Sequence, residues 1–87
     1  MILERNFHSR FGEIDIIAQK DESLHFIEVK ATSGDYDAIY RVTSKKLSKL
    51  IKTINFYLLQ SQLNFSYQID VICVQKDEIK MLENISI

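Results

Sequence analysis

Apolar positions along the chain repeat with two periods. Residues Ile2 to Ser9 read as a strand, though a ragged one. Glu13 to Ala18 alternates, with Ile14 and Ile16 on one face and Glu13 and Asp15 on the other, until Ile17 breaks the alternation. Such a break is expected where a strand enters a sheet covered on both sides. Lys20-Asp21-Glu22-Ser23 is a polar turn, and Leu24 to Ala31 is a third strand rich in Phe, Ile and Val. Thr32 to Asp37 reads as a loop around Gly34. The period then changes. Thr43 or Ser44 offers an N-cap, and Leu47, Leu50, Ile51, Ile54 and Leu58 recur at the spacing of an amphipathic helix running to about Gln62. Tyr67 to Gln75 is a fourth strand, whose Val71-Ile72-Cys73-Val74 run suits burial on both faces. Lys76-Asp77 turns into a last strand, Glu78 to Glu83. The pattern predicts an α/β fold: a mixed five-stranded sheet, β-β-β-α-β-β, with one long helix packed on it. Strand 3, the helix and strand 4 form a unit whose two strands run parallel with a right-handed crossover. Nothing in the pattern covers the other sheet face, so a second copy or a partner chain is expected there.

Composition narrows the class. At 87 residues the chain fits a single domain, 1–87, and its 46% hydrophobic and 26% charged residues are those of a globular protein. No apolar run is long enough to span a bilayer, and the start of the chain lacks the basic and apolar regions of a signal peptide. The single cysteine, Cys73, cannot form an internal disulfide, so a reducing cytoplasm is expected. A net charge of −1 argues against a nucleic-acid partner, but the average conceals a partition. Residues 38–69 contain no acid and five bases: Arg41, Lys45, Lys46, Lys49 and Lys52. Four of these lie on the polar side of the predicted helix. They are either a solvated face or a track for phosphate. Tyr36 and Tyr40 border this region, where they either pack over the helix or stack on bases.

The hairpin of strands 2 and 3 collects ionisable groups. With Asp21-Glu22 at the centre of the turn, Asp15 faces Glu28 and Glu13 faces Lys30, and directly opposed residues share a sheet face. A slip of one residue would separate Asp15 from Glu28. Two opposed carboxylates repel unless neutralised, and a hard divalent cation with oxygen ligands does so. Such a cation lowers the pKa of a bound water and polarises a phosphoryl oxygen. A lysine two residues after a ligand lies on the same face, placed to assist that water. The four residues therefore suit phosphodiester hydrolysis. They also suit a surface hairpin in which Glu13 and Lys30 are a cross-strand ion pair.

Arg5-Asn6-Phe7, Arg10-Phe11-Gly12-Glu13-Ile14-Asp15-Ile16-Ile17-Ala18 and Phe26-Ile27-Glu28-Val29-Lys30 resemble the YraN-like family. The resemblance continues through Val42-Thr43-Ser44-Lys45-Lys46, the helix and Ile69-Asp70-Val71, covering nearly the whole chain. It implies the restriction-endonuclease-like fold of the PD-(D/E)xK nucleases and archaeal Holliday junction resolvases. It also implies Asp15 and Glu28 as metal ligands, the carbonyl of Val29 as a further ligand, and Lys30 as the catalytic lysine. Members usually carry a helix ahead of the position of Met1, often with a glutamate for the site, and a glutamine where this chain has Leu47.

The expectation is a Mg²⁺- or Mn²⁺-dependent nuclease acting on DNA, including branched or structured DNA. Asp15 and Glu28 hold the metal, Glu13 is an outer or second ligand, Lys30 assists the water, and the helix lysines and Arg41 contact phosphate. The alternative class is a non-catalytic nucleic-acid-binding or protein-interaction module on a degenerate nuclease scaffold. A purely structural domain is a third reading. His8 and His25 are expected to be isolated, Cys73 to be a core residue, and Asp70 to open strand 4 in a capping or supporting role.

Overall fold

The computed structural model describes residues 1–31, 44–75 and 77–85, with positions 44 and 45 known by main chain alone. Its elements are β1 (Ile2–Ser9), β2 (Gly12–Lys20), β3 (Ser23–Ala31), α1 (Ser44–Ser61), β4 (Ser66–Gln75) and β5 (Glu78–Leu82). The expected loop at 32–37, and with it Tyr36, Tyr40, Arg41 and Thr43, lies outside the described residues. The five strands form one sheet in chain order, β1-β2-β3-β4-β5. Only β3 and β4 run parallel, and α1 makes that crossover; the other neighbours are antiparallel. This is the predicted mixed sheet with one helix.

The two hairpins at the start of the chain are tight. Ser9 pairs with Gly12 across Arg10-Phe11, and Lys20 pairs with Ser23 across Asp21-Glu22, where Asp21 takes a positive φ of 55°. Two-residue hairpin loops favour such left-handed positions, and aspartate tolerates them. Strand pairing therefore runs right up to each turn, which is why β2 and β3 extend beyond their predicted bounds. At the far end of α1, Gln62 adopts φ 58° and its N–H still bonds the carbonyl of Leu58 at 3.0 Å, closing the helix.

The core lies between α1 and the sheet. Ile14, Ile17, Leu24, Phe26, Ile54, Tyr57 and Ile69 are buried together, flanked by Leu3, Phe7, Leu47, Leu50, Leu58, Leu63 and Phe65. Tyr57 anchors it, its ring meeting Phe7 at 5.2 Å and Phe26 at 5.9 Å, both edge to face. Ile14 and Ile17 stand three residues apart yet belong to the same cluster. The strict alternation expected of Ile14 and Ile16 therefore fails between them. Further along the sheet, Val71 and Cys73 are buried against Leu82 and Ile85, so the cysteine is a core residue as expected. On the opposite sheet face the row Val29–Ile72–Met81 is partly open, with Val29 40% and Met81 44% exposed.

Candidate metal centre

The centre begins where the central hairpin opens. The pairs Ile16↔Ile27, Ile17↔Phe26 and Ala18↔His25 have the register that the turn at Asp21-Glu22 dictates. Extended by one step, that register sets Asp15 opposite Glu28. The ladder stops short of this step, at Ile16 and Ile27. Beyond it the Val29 N–H donates to Asp15 Oδ2 at 2.7 Å, so a side chain takes the place of the lost strand partner. In an extended strand a residue's N–H and C=O point to the same neighbour, so the Val29 carbonyl is directed into the same gap. Asp15, Val29 and Glu28 therefore converge at one opening of the sheet.

Glu28 is the unusual member. Among the described residues its Oε1 is buried without a hydrogen-bond partner. Burial, and then the charge of Asp15, push its carboxyl up to about 7; the negative charge of Glu13 adds to this, while Lys30 and the Asp15 backbone hydrogen bond oppose it. A buried acceptor without a donor is costly, and a carboxylate beside a second carboxylate more so. A hard cation removes both penalties at once, so the residues present fit one. Among the described residues no three His, Cys, Asp or Glu side chains gather closely enough to hold a metal by themselves. Two carboxylates with a main-chain carbonyl leave the rest of an octahedral shell to water, which suits Mg²⁺.

The remaining predicted residues fall at different distances from this centre. Lys30 is exposed on β3, in the row Lys30–Cys73–Lys80, and its charge is felt at Glu28. Glu13 is exposed and stands 3.4 Å from His8 Nδ1, acting on Glu28 through its charge. Lys46, Lys49 and Lys52 are exposed along α1. Lys45 lies in the first turn of α1 with its side chain outside the description, as Arg41 is entirely.

Three expectations are corrected. Neither His8, beside Glu13, nor His25 is isolated, and Asp70 does not open its strand. Asp70 sits midway along β4, fully buried, with Oδ2 2.8 Å from His25 Nδ1. Its Oδ1 accepts from Gln68 Nε2 at 2.8 Å and from the Asn84 N–H at 2.9 Å. Burial raises the Asp70 carboxyl, but the Asn84, His25 and Gln68 hydrogen bonds outweigh it and hold it below its ordinary value. Sequence spacing had no means of finding this pair. The parallel register that sets His25 opposite Gln68 and Ile27 opposite Asp70 is fixed by packing of the crossover rather than by a turn.

A mixed five-stranded sheet crossed by one helix, with two carboxylates at the opening of its central hairpin, defines an α/β protein with a candidate paired-carboxylate centre. Sequence comparison supplies the family. The profile described as "Uncharacterised protein family UPF0102" matches residues 1–74. A UPF0102 protein of Campylobacter fetus subsp. fetus is 60% identical over 85 residues, covering 98% of this chain and 76% of the relative. One from Campylobacter lari is 61% identical over the same shares, and one from Campylobacter hominis is 62% identical over 99% of this chain and 77% of the relative. The chain belongs to the UPF0102, or YraN, family, whose fold is the restriction-endonuclease-like one.

Proposed function

We propose that this chain is a metal-dependent nuclease that hydrolyses phosphodiester bonds in DNA, branched or structured DNA included. The observation that carries the reading is the buried Oε1 of Glu28, without a partner among the described residues, beside Asp15. Asp15, Glu28 and the carbonyl of Val29 would hold Mg²⁺ or Mn²⁺, with Glu13 as an outer ligand. When bound, such a cation supplies an acidified water and polarisation of a phosphoryl oxygen. Lys30, two residues along from Glu28, orients the attacking water and offsets charge that builds on the phosphate oxygens. Asp15 is already fixed by the Val29 N–H, so it needs little reordering to serve. Lys46, Lys49 and Lys52 give α1 a cationic side for the phosphate backbone. No described helix is long and apolar enough to cross a membrane, and a buried free thiol at Cys73 suits a reducing cytoplasm.

The test pairs binding with cleavage. Titrating Mn²⁺ into the labelled protein should broaden the resonances of Asp15, Glu28 and Val29 first. Four-way, flap and linear duplex DNA should be cut by wild type, while Lys30→Ala and Asp15→Asn should lose about two to four orders of magnitude in rate. Activity equal in wild type and Lys30→Ala, or no broadening at millimolar Mn²⁺, would sink the reading and favour a non-catalytic module.

A further inference from the structure

Asn6 has a left-handed backbone, φ 54°, in the middle of β1. For an L-residue this conformation costs about 1–2 kcal/mol, and asparagine is among the few that adopt it. Its place in the sheet is specific. The β1–β2 ladder runs through Glu4↔Ile17 and Arg5↔Ile16 and resumes at Phe7↔Ile14, so the unmatched step sets Asn6 opposite Asp15. The register is the same on both sides of that step, its shift lying between Ile2 and Glu4, but the side-chain faces slip across it. Ile14 and Ile17 both join the core beneath α1. On β1, Phe7 packs edge-on to Tyr57, and Glu4 is near enough for its charge, after burial, to raise the Tyr57 phenol. Residues 4 and 7 of an unbroken strand would point to opposite faces. On its other flank β2 leaves β3 at the same level, and the Asp15 carboxylate bonds Val29 N–H there.

We propose that Asn6 is a positioning residue of the candidate metal centre. Its left-handed backbone interrupts the β1–β2 ladder opposite Asp15, and this turns the Asp15 carboxylate toward Val29 and Glu28. The role in a metal centre rests on the function proposed above; the conformational coupling of Asn6 to Asp15 does not. Glycine adopts the left-handed region freely, alanine reluctantly, and a β-branched residue hardly at all. Asn6→Gly should therefore preserve the site, Asn6→Val should lose it, and Asn6→Ala should fall between.

The readout is amide exchange of the metal-free full chain, taken as the ratio of the Val29 rate to that of Phe26 in the core. The ratio cancels changes in global stability. In Asn6→Gly it should stay within about twofold of wild type, and in Asn6→Val it should rise about tenfold, toward the value of Asp15→Ala. Mn²⁺ affinity, read from the broadening, should follow the same order. An Asn6→Val ratio equal to wild type would overturn the proposal, as would equal losses in the glycine and valine variants. If Asn6→Val does not fold, the glycine and alanine variants decide it by the same criterion. Absence of Mn²⁺ broadening in wild type would remove the metal centre, while the Val29 ratio would still decide the role of Asn6.

Discussion

Glu28 and Asp70 are both carboxylates withdrawn from water on adjacent strands, and their surroundings send them in opposite directions. Asp70 is met by three hydrogen bonds that outweigh its burial, whereas Glu28 has an oxygen with no partner among the described residues and a second carboxylate beside it. The folded protein therefore favours the protonated form of Glu28, with a carboxyl near 7 against an ordinary 4.5. The stability this contributes is fully present below about pH 4.5 and is lost as pH rises through 7. Asp70 works the other way: its folded value is lowered, so its contribution is present above its ordinary 3.8 and is lost as pH falls through the folded value. In metal-free buffer, Glu28→Gln should stabilise the protein at pH 8 by about 1–2 kcal/mol, after allowance for solvent screening, and should flatten the fall in stability between pH 5 and 7.5. Urea melts at several pH values check this, and an unchanged slope in the variant would refute it. At this scale the sequence was partly legible. The turn at Asp21-Glu22 fixes a register, and the register brings Asp15 beside Glu28. The His25–Asp70 pair and the left-handed Asn6 had no such local rule behind them. One depends on a parallel register set through α1, and the other on a backbone choice that asparagine permits but does not impose.

At the scale of elements, the helix was legible from its period but its contacts were not. Leu47, Leu50, Ile54 and Leu58 face the core as spacing predicts, yet Thr53 is completely buried too. Its hydroxyl donates to the Lys49 carbonyl at 3.0 Å and sits 3.5 Å from Ser9 Oγ, so α1 is pinned to the β1–β2 turn. Gly12 closes that turn with φ 152°, a conformation essentially reserved for glycine. A Cβ there would stand 3.4 Å from Thr53 Oγ1, an ordinary contact, so the difficulty is the backbone and not the space. Gly12→Ala should therefore cost about 1–2 kcal/mol, and adding Thr53→Ala, which removes the Oγ1 itself, should not restore it. Chemical denaturation of the single and double variants measures this; full rescue by the second change would show that crowding was the cause. The exposed side of α1 gives a separate prediction. If Lys49 and Lys52 each neutralise one phosphate, replacing both by alanine should lower the slope of log affinity against log salt by about 2, with little change in the melting temperature. A slope that does not move would leave that side of the helix as a solvated surface.

For the whole molecule, the centre sits at the seam between the hairpin half of the sheet and the parallel half. β2 departs from β3 at Ile16 and Ile27, while β3 stays paired with β4 along its full length to Ala31. The opening is thus held by three strands at once, and anything bound there is linked to folding of the whole sheet. A cation that binds only the folded chain stabilises it by RT ln(1 + [M]/Kd), about 2.7 kcal/mol at a hundredfold excess over Kd. Because Glu28 must lose its proton to act as a ligand, the binding competes with protonation below about 7. Millimolar Mn²⁺ should accordingly raise the melting temperature more at pH 8 than at pH 5.5, reversing the pH trend of the metal-free protein. Asp15→Asn and Glu28→Gln should abolish the increment at both pH values, whereas Lys30→Ala should retain most of it, since under the proposed function that residue serves water and phosphate and is not a ligand. Thermal melts with and without the metal decide the matter. An increment that survives loss of both carboxylates would locate the cation elsewhere on the surface, and one that is independent of pH would mean that Glu28 does not ligate it.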